Sequence, residues 1–496
     1  CGLQEIEPEM HRCLRNFLRR DCVMDNLQIL LRQHVGKPCA PIVEVGDHVK
    51  KGQLIAEPTG LGANIFASVY GTVEEITEDR IIIKADEEQP EEFVPIDVPE
   101  DASYIDMVKA AGVVGLGGAG FPTGIKLNID LAETPMAELD PEINSELPAD
   151  FKLDCEKGYI LINDAECEPG LAHNILQTIE ETEKVVRGVK YCMEMANADK
   201  AIFGIKKKNK EAILKLQDAL KDEPAISIHM LPDIYPMGEE RAIVRECLGI
   251  NLTPAQLPSA AKSVVLNLET VAKVAEAIED KKPCIEKNLT VRGRIKGGNG
   301  AHTFKNIPVG TSVRDLIEMA GGIEGEYGEI IMGGAFTGKA CELTDPIAKN
   351  TGAILVTMPF LDLKGANMGI LVCACGGNLE RMQDLAAKYN SKVASIAYCK
   401  QAIEMPNGTR KCLRPGNCPG QVKNNMQFKK DKCEYIIIGN CSDCSNTVMA
   451  SGPKMGLKVL HQTDHAMRAV GHALYRTLRV SKHVAQDLSV IDNPEN

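Results

Sequence analysis

Tryptophan is absent from this chain of 496 residues, and aromatic side chains of any kind make up only 4% of it; that scarcity carries no functional reading. Two other absences exclude more. No apolar run approaches the 18 or so residues that a membrane span requires, and no stretch has the basic, apolar, small-residue order of a signal peptide, so a soluble cytoplasmic protein is expected. A positive surplus is also missing. Acidic side chains number 69 against 56 basic ones, giving −13 without a long acidic block, which argues against nucleic acid as the main partner. The length suits three or four domains with real cores. Cysteine is abundant, at 18 residues. In a reducing compartment these read as free thiols, some of them ligands, rather than as a disulfide framework.

Glycine is concentrated in one place. From Gly112 to Lys126 the chain reads GVVGLGGAGFPTGIK, with six glycines in fifteen residues. Gly115, Gly117, Gly118 and Gly120 remove the side chains that would hold a ligand off, and they permit positive φ, so several backbone N–H groups can converge on one anion. Pro122 presets the first turn of a helix, so a helix is expected from about residue 121, with its N-terminus and Lys126 facing a phosphate. The string also satisfies G-x-G-x-x-G at Gly115, Gly117 and Gly120. A Rossmann reading fails on context, because Tyr104 to Ala111 upstream has a helical pattern where that motif needs a strand.

GLGGAGFPTGIKL, followed by Ile162-Asn-Asp-Ala-Glu-Cys-Glu-Pro-Gly170, resembles the paired motifs of the C subunit of Rnf complexes; the flavoprotein subunit of respiratory complex I carries a similar pair. The resemblance implies that the glycine loop and lysine hold the phosphate of FMN, that the second motif lines the flavin and NADH pocket, and that hydride passes from nicotinamide to flavin. It makes Gly115, Gly117, Gly118, Gly120, Phe121, Lys126, Asn163, Glu166 and Glu168 the candidate cofactor residues. Tyr235-Pro-Met-Gly-Glu-Glu-Arg241 is similar to the next family signature and adds Glu239 and Glu240, whose other reading is a helix N-terminus stabilised by acids. Within the superfamily the chain looks most like electron-transfer proteins associated with D-proline reductase. A corrinoid reductase and a non-enzymatic adaptor of the same fold are the alternatives.

In chain order, residues 1–26 form a leader with Cys1, Cys13 and Cys22, read either as preceding a natural start at Met24 or as a short amphipathic helix. Residues 27–100 alternate β-branched segments with glycine turns, an all-β module. Val45 to Ala56 resembles the half-repeat of biotinyl and lipoyl domains, which implies a barrel-sandwich fold. Lys50-Lys51 sit at its turn, and positioning beside the flavin site is preferred to a carrier role. Residues 101–287 alternate strands and helices, predicting an open α/β sheet with its ligand crevice at the carboxyl ends of the strands; this is the FMN and NADH-binding domain. Here Leu171 to Ala196 reads as helix, as does Asn251 to Lys287. Glu166 and Glu168 alternate with Cys167, so in an extended loop both carboxylates face one side, as acceptors for ribose hydroxyls or a nicotinamide amide. Cys167 reads as structural rather than redox-active.

Residues 288–362 look like the β-grasp SLBB domain of the same families, with Thr311 capping a helix over 312–320 and Gly321-Gly322 ending it; a spacer or docking role is expected. Residues 363–496 form a Cys-rich α/β domain. The family's two C-x-x-C-x-x-C-x-x-x-C-P runs are missing, yet Cys373, Cys375, Cys399, Cys412, Cys418, Cys433, Cys441 and Cys444 crowd this part. Ile370–Cys373, Lys392–Cys399 and Glu434–Gly439 read as parallel strands ending at or just before cysteines. All of these except Cys433 are candidate metal ligands, for an iron–sulfur cluster, which a loose resemblance to the delta-subunit domain of methyl-viologen-reducing hydrogenases implies is [2Fe–2S]; a dithiol relay, zinc and inert packing stay open. His461, His465 and His472 read as surface or core residues. The expected whole is a multidomain α/β flavoprotein that takes hydride from NADH onto FMN and passes electrons through the cysteine centre to a partner reductase, D-proline reductase by resemblance.

Overall fold

A computed structural model describes residues 26–148, 150–297, 300–375 and 377–471. The leader cysteines, Met24 and His472 lie outside the described residues. Seven short strands come first: β1 (Asn26–Leu30), β2 (Cys39–Pro41), β3 (His48–Val49), β4 (Leu54–Pro58), β5 (Ile65–Phe66), β6 (Gly71–Ile76) and β7 (Arg80–Ala85). They form antiparallel sheets in the orders β1-β7-β6-β3 and β2-β4-β5. Period-two burial builds this core: Leu27 and Ile29 of β1 lie opposite Ile83 and Ile81 of β7, all fully buried. β2 ends before Glu44, which belongs to a turn in which its N–H donates to Asp47. Lys51 is not on an exposed hairpin. It pairs with Glu286 at 2.9 Å, as a residue joining two units would.

Next come α1 (Tyr104–Ala110), α2 (Thr123–Lys126), β8 (Tyr159–Asp164), α3 (His173–Glu180), α4 (Thr182–Met195), β9 (Lys200–Lys206), α5 (Lys210–Ala219), β10 (Ile226–Leu231), α6 (Glu240–Leu248), β11 (Ser263–Asn267) and α7 (Leu268–Glu279). The sheet is wholly parallel, ordered β10-β9-β8-β11. Ile160, Leu161 and Ile162 are all buried, as strands covered on both faces must be. Three expectations change here. The helix after the glycine loop is a single turn beginning at Thr123. The long helix from Leu171 breaks at Glu181, where Thr182 Oγ1 donates to Thr178 O at 2.5 Å, a back-bond that bends helices. Between Asn251 and Lys287 lies the strand β11, concealed in sequence by its continuous apolar run into α7.

A third sheet, ordered β13-β12-β16-β14-β15, is built from β12 (Glu286–Gly293), β13 (His302–Pro308), β14 (Ile330–Met332), β15 (Lys339–Cys341) and β16 (Ala353–Val356), with α8 (Val313–Met319) packed on it. The cap of α8 is Ser312, which accepts from the Asp315 N–H; Thr311 instead donates to Pro308 O. Gly321 and Gly322 follow the helix with φ of +111° and +86°, the left-handed conformations that end it.

The last unit holds β17 (Asn367–Val372), α9 (Leu379–Lys388), β18 (Lys392–Tyr398), β19 (Ala402–Glu404), β20 (Arg410–Cys412), α10 (Val422–Lys430), β21 (Tyr435–Ile438), α11 (Ser442–Ser451), β22 (Lys458–His461) and α12 (Asp464–Ala469). Its four-stranded sheet, β18-β17-β21-β22, is parallel, as the strand reading anticipates. Both histidines described here are buried. His461 Nε2 shares a hydrogen bond with Ser445 Oγ, and His465 Nε2 meets Glu329, which also receives Arg381 and Lys388. No helix among the described residues is long and apolar enough to cross a membrane.

Candidate functional site

Parallel sheets place binding sites where the strand order reverses, beyond the carboxyl ends. In the central sheet that point lies between β8 and β11, and a cavity of about 1080 Å³ opens there. Gly117 and Gly118 form one wall, Asn163, Glu166 and Glu168 another, and Glu239 and Glu240 a third; Gly334 and Thr337 of the third sheet and Cys375 and Cys412 of the last unit complete it.

The glycine loop touches β11 directly. A Cβ on Gly117 would stand 2.5 Å from Asn267 Nδ2, whereas one on Gly118 would meet nothing within 4 Å. Gly117 is therefore needed for close approach, and Gly118 faces open space. Of the four candidate glycines only Gly120 has positive φ, at +75°, so the loop is not the run of left-handed residues its composition suggests. Leu116 N–H donates to Thr270 and Gly115 N–H to Phe121 O. From Gly117 to Gly120, by contrast, the backbone N–H groups meet no acceptor among the described residues. Asn350 holds the turn by donating to Gly118 O at 2.8 Å. Gly115, Gly120, Phe121 and Lys126 stand behind this wall rather than in it, and Lys126 is ion-paired with Glu240.

The second motif is built differently from its sequence expectation. Glu166 and Glu168 both border the cavity, yet protein N–H groups hold their oxygens. Glu166, at φ +39°, receives the N–H groups of Asn174 and Ile175 at the start of α3 and lies 3.8 Å from His173 Nδ1. Burial pushes its carboxyl up to about 7. Glu168 crosses to the third sheet, where it accepts from Phe336 N–H at 2.7 Å and from Thr337 N–H and hydroxyl. A Cβ on Gly334 would overlap that carboxyl at 2.0 Å, so glycine is required there. Asn163 Nδ2 donates to Gly238 O, and its Oδ1 receives Ala165 N–H. Burial raises the Cys167 thiol, in keeping with a structural role. Instead of facing one side, the acidic pair ties the loop after β8 to a helix on one hand and to the third sheet on the other, which makes that sheet part of the site and more than a spacer.

The 235–241 segment joins the two parallel sheets. Glu239 caps α6, accepting from Ala242 N–H and Arg241 Nε, as the helix-terminus reading has it. Arg241 Nη1 then donates to Cys412 O at 2.7 Å and Arg245 Nη1 to Pro415 O, while Tyr235 exchanges hydrogen bonds with Ser442 through its N–H and carbonyl. The cysteine loop is thereby pinned against the cavity.

In the last unit the order reverses between β17 and β21, and the thiols gather at that place. Cys375 contacts Cys412 and Cys441; the contact with Cys412 raises the Cys375 thiol and holds Cys412 below the usual thiol range. Cys418 contacts Cys444, which with Thr447 and Gln421 lowers it to about 6 and raises Cys444. Gln421 Nε2 spans Cys418 at 3.2 Å and Cys399 at 3.5 Å. Cys373 is buried beneath Gly377 and Gly439. No group of three or more Cys, His, Asp or Glu side chains among the described residues is set around a common ion position. Asn267, Arg241, Thr337 and Asn350 were not identified from sequence. Only Asn267 leaves a signal there, as the residue capping a helix that begins Leu-Glu.

The sequence matches two families: the Nuo51 FMN-binding domain over residues 108–276 and the RnfC barrel sandwich hybrid domain over 15–94. The second match starts inside the stretch read above as a leader. The C subunit of the proton-translocating ferredoxin:NAD(+) oxidoreductase complex of Clostridium ljungdahlii is 32% identical over 354 residues, 67% of this chain and 71% of that protein. The cobalamin reductase PduS of Salmonella typhimurium is 33% identical over 252 residues, 51% of this chain and 49% of that one. Among solved structures, an NAD+-reducing [NiFe]-hydrogenase aligns at 21% identity and a TM-score of 0.40, covering 51% of this chain and 46% of the hydrogenase chain.

Proposed function

This chain belongs to the RnfC-like family of oxidoreductase subunits, and from that premise we propose that it is an electron-input flavoprotein in which FMN and NADH occupy the cavity at the β8/β11 switch point. One observation carries the reading: three successive backbone N–H groups, those of Gly117, Gly118 and Ala119, lack protein acceptors in the wall of a cavity of about 1080 Å³. Amides so arranged suit a phosphate. Gly118 leaves room for the bound group, Gly117 lets the loop lie on Asn267, and Lys126 with Gly115, Gly120 and Phe121 supports the loop from behind. Asn163, Glu239 and Glu240 line the nicotinamide side, with Glu166 and Glu168 fixing the wall between. Bound FMN supplies the means to take a hydride from NADH and release its electrons one or two at a time.

The electrons leave through the cysteines of residues 373–444. Cys375 and Cys412 support this assignment, since they line the same cavity as the glycine loop and Cys375 also touches Cys441. An iron–sulfur centre is our reading of this thiol density, although no common ion position is formed among the described residues. We propose the domains as barrel-sandwich at 27–100, FMN and NADH-binding at 101–287, SLBB at 288–362 and Cys-rich at 363–496, although the strand β12 already begins at Glu286. D-proline reductase is the proposed partner reductase. The identity to cobalamin reductase favours a second reading, a corrinoid reductase.

An anaerobic visible spectrum before and after NADH, with iron and acid-labile sulfide analysis, is the test. Flavin bands bleached by NADH are expected, and a colourless protein that binds no added FMN overturns the reading. Reduction of D-proline reductase against reduction of a corrinoid protein separates the two partners.

A further inference from the structure

Charge in this acidic chain is unevenly placed. Residues 388–432 carry ten Lys and Arg against two acidic side chains, a surplus of eight positive charges in a chain whose total is −13. That segment contains β18, the outermost strand of the last sheet, bonded only to β17, and α10 beside it. Lys392, Lys400, Lys423, Lys430 and Lys432 form no ion pair among the described residues. Large apolar side chains stand in water between them: Ile396 and Tyr398 on β18 are 40% and 43% exposed, and Val422 and Met426 on α10 are 52% and 60% exposed. Lysines on an edge strand commonly serve only to block strand pairing. That role does not account for the apolar side chains or for what lies beneath them.

Beneath them runs a line of sulfur. It starts at Cys375 and Cys412 in the cavity wall, reaches Cys441 by contact with Cys375, and continues where Cys444 meets Cys418. Gln421 then links Cys418 to Cys399. Cys399 directly follows β18 and Cys418 lies four residues ahead of α10, so the line ends between the two elements that carry the exposed apolar and basic residues. Both end thiols are partly accessible, whereas Cys373, Cys441 and Cys444 are buried.

We propose that this edge is the docking surface for an acidic electron-carrier protein, which receives electrons at the Cys399 and Cys418 end of the thiol line. The proposal rests on the electron-transfer function above. Exposed apolar side chains among cations suit a protein interface, and an acidic partner would be steered to it; a nucleic acid would leave Ile396, Val422 and Met426 without a role, and an anionic membrane, which takes up lysines and apolar side chains alike, would leave the sulfur line without one. The balance is simple: NADH gives a hydride and leaves as NAD+, its two electrons reduce two molecules of a one-electron carrier, and the proton goes to water.

The test uses the full chain, with an acidic [2Fe–2S] ferredoxin as probe, and measures binding at low and high salt. Phosphatidylserine vesicles and a DNA duplex serve as competing probes. The wild type is expected to bind ferredoxin and to lose at least tenfold in affinity at high salt. The triple variant Lys392→Glu, Lys423→Glu, Lys430→Glu should lose at least tenfold at low salt with an unchanged thermal midpoint and unchanged NADH-dependent dye reduction, and Ile396→Ser should lose severalfold at either salt. Equal binding by wild type and triple variant, or preferential binding of vesicles or duplex, overturns the proposal. Dye reduction absent from the wild type while ferredoxin binding still depends on these lysines would remove the electron-transfer function and leave the docking surface standing.

Discussion

The two parallel sheets are alike in size and in where they put their working groups, and unlike in what those groups are. In β10-β9-β8-β11 the order reverses between β8 and β11; in β18-β17-β21-β22 it reverses between β17 and β21. Each reversal opens toward the same cavity. The first presents bare amides and carboxylates already held by protein N–H groups; the second presents thiols in mutual contact. Topology fixes the place, and the few residues just past the strand ends decide the chemistry.

If the carboxylates of the first sheet are structural, titration should reveal it. Glu166 is the sharper case, because its folded-state carboxyl is raised from 4.5 to about 7 by burial. The unfolded chain then releases this proton first as pH rises, so stability should fall between about pH 4.5 and 7 and level off above. The loss is on the order of 3 kcal/mol. Glu166→Gln, which keeps the shape and removes the titration, should flatten that part of a urea-midpoint profile. An unaltered slope would mean that Glu166 is not the titrating group.

A smaller effect, on binding rather than on folding, is expected of the loop. Gly118→Val adds bulk where no protein atom lies within 4 Å, so the thermal midpoint should hold while FMN affinity drops about 30-fold, roughly 2 kcal/mol. Fluorescence titration of the apoprotein with FMN measures this, and full retention of affinity would move the phosphate away from Gly118. Smallest is the change expected in the second sheet. Cys375→Ser should leave bleaching by NADH intact and slow onward electron transfer about tenfold, about 1.4 kcal/mol of barrier. Stopped-flow traces that reoxidise at the wild-type rate would take Cys375 out of the route and break the division of labour between the sheets.

Much of this was legible in the residues. Period-two burial in β1 and β7, the helix at 104–110 that excluded a Rossmann reading, and the parallel strands ending at Cys373 and Cys399 all follow from local pattern. Glu166 and Glu168 show where pattern stops. Alternation around Cys167 says which residues share a side only while the backbone is extended, and the φ of +39° at Glu166 breaks that condition. The strand β11 was hidden because a buried parallel strand and the start of an apolar helix have the same composition. Thr337 and Gly334 had no local signal at all; their part in the site comes from a partner more than 160 residues away in sequence.

Lys349 sets a condition on how such a chain comes into being. Its ammonium, fully enclosed, donates to Asn64 O at 2.7 Å and to Gly112 O at 2.8 Å, and so moors the first module and the root of the glycine loop to a residue 237 positions beyond that loop. A ribosome adding 5–20 residues per second needs roughly 10–50 s to cover that interval. For that time the nascent loop exists without its anchor, and assembly of the site must wait for the late arrival of a single lysine.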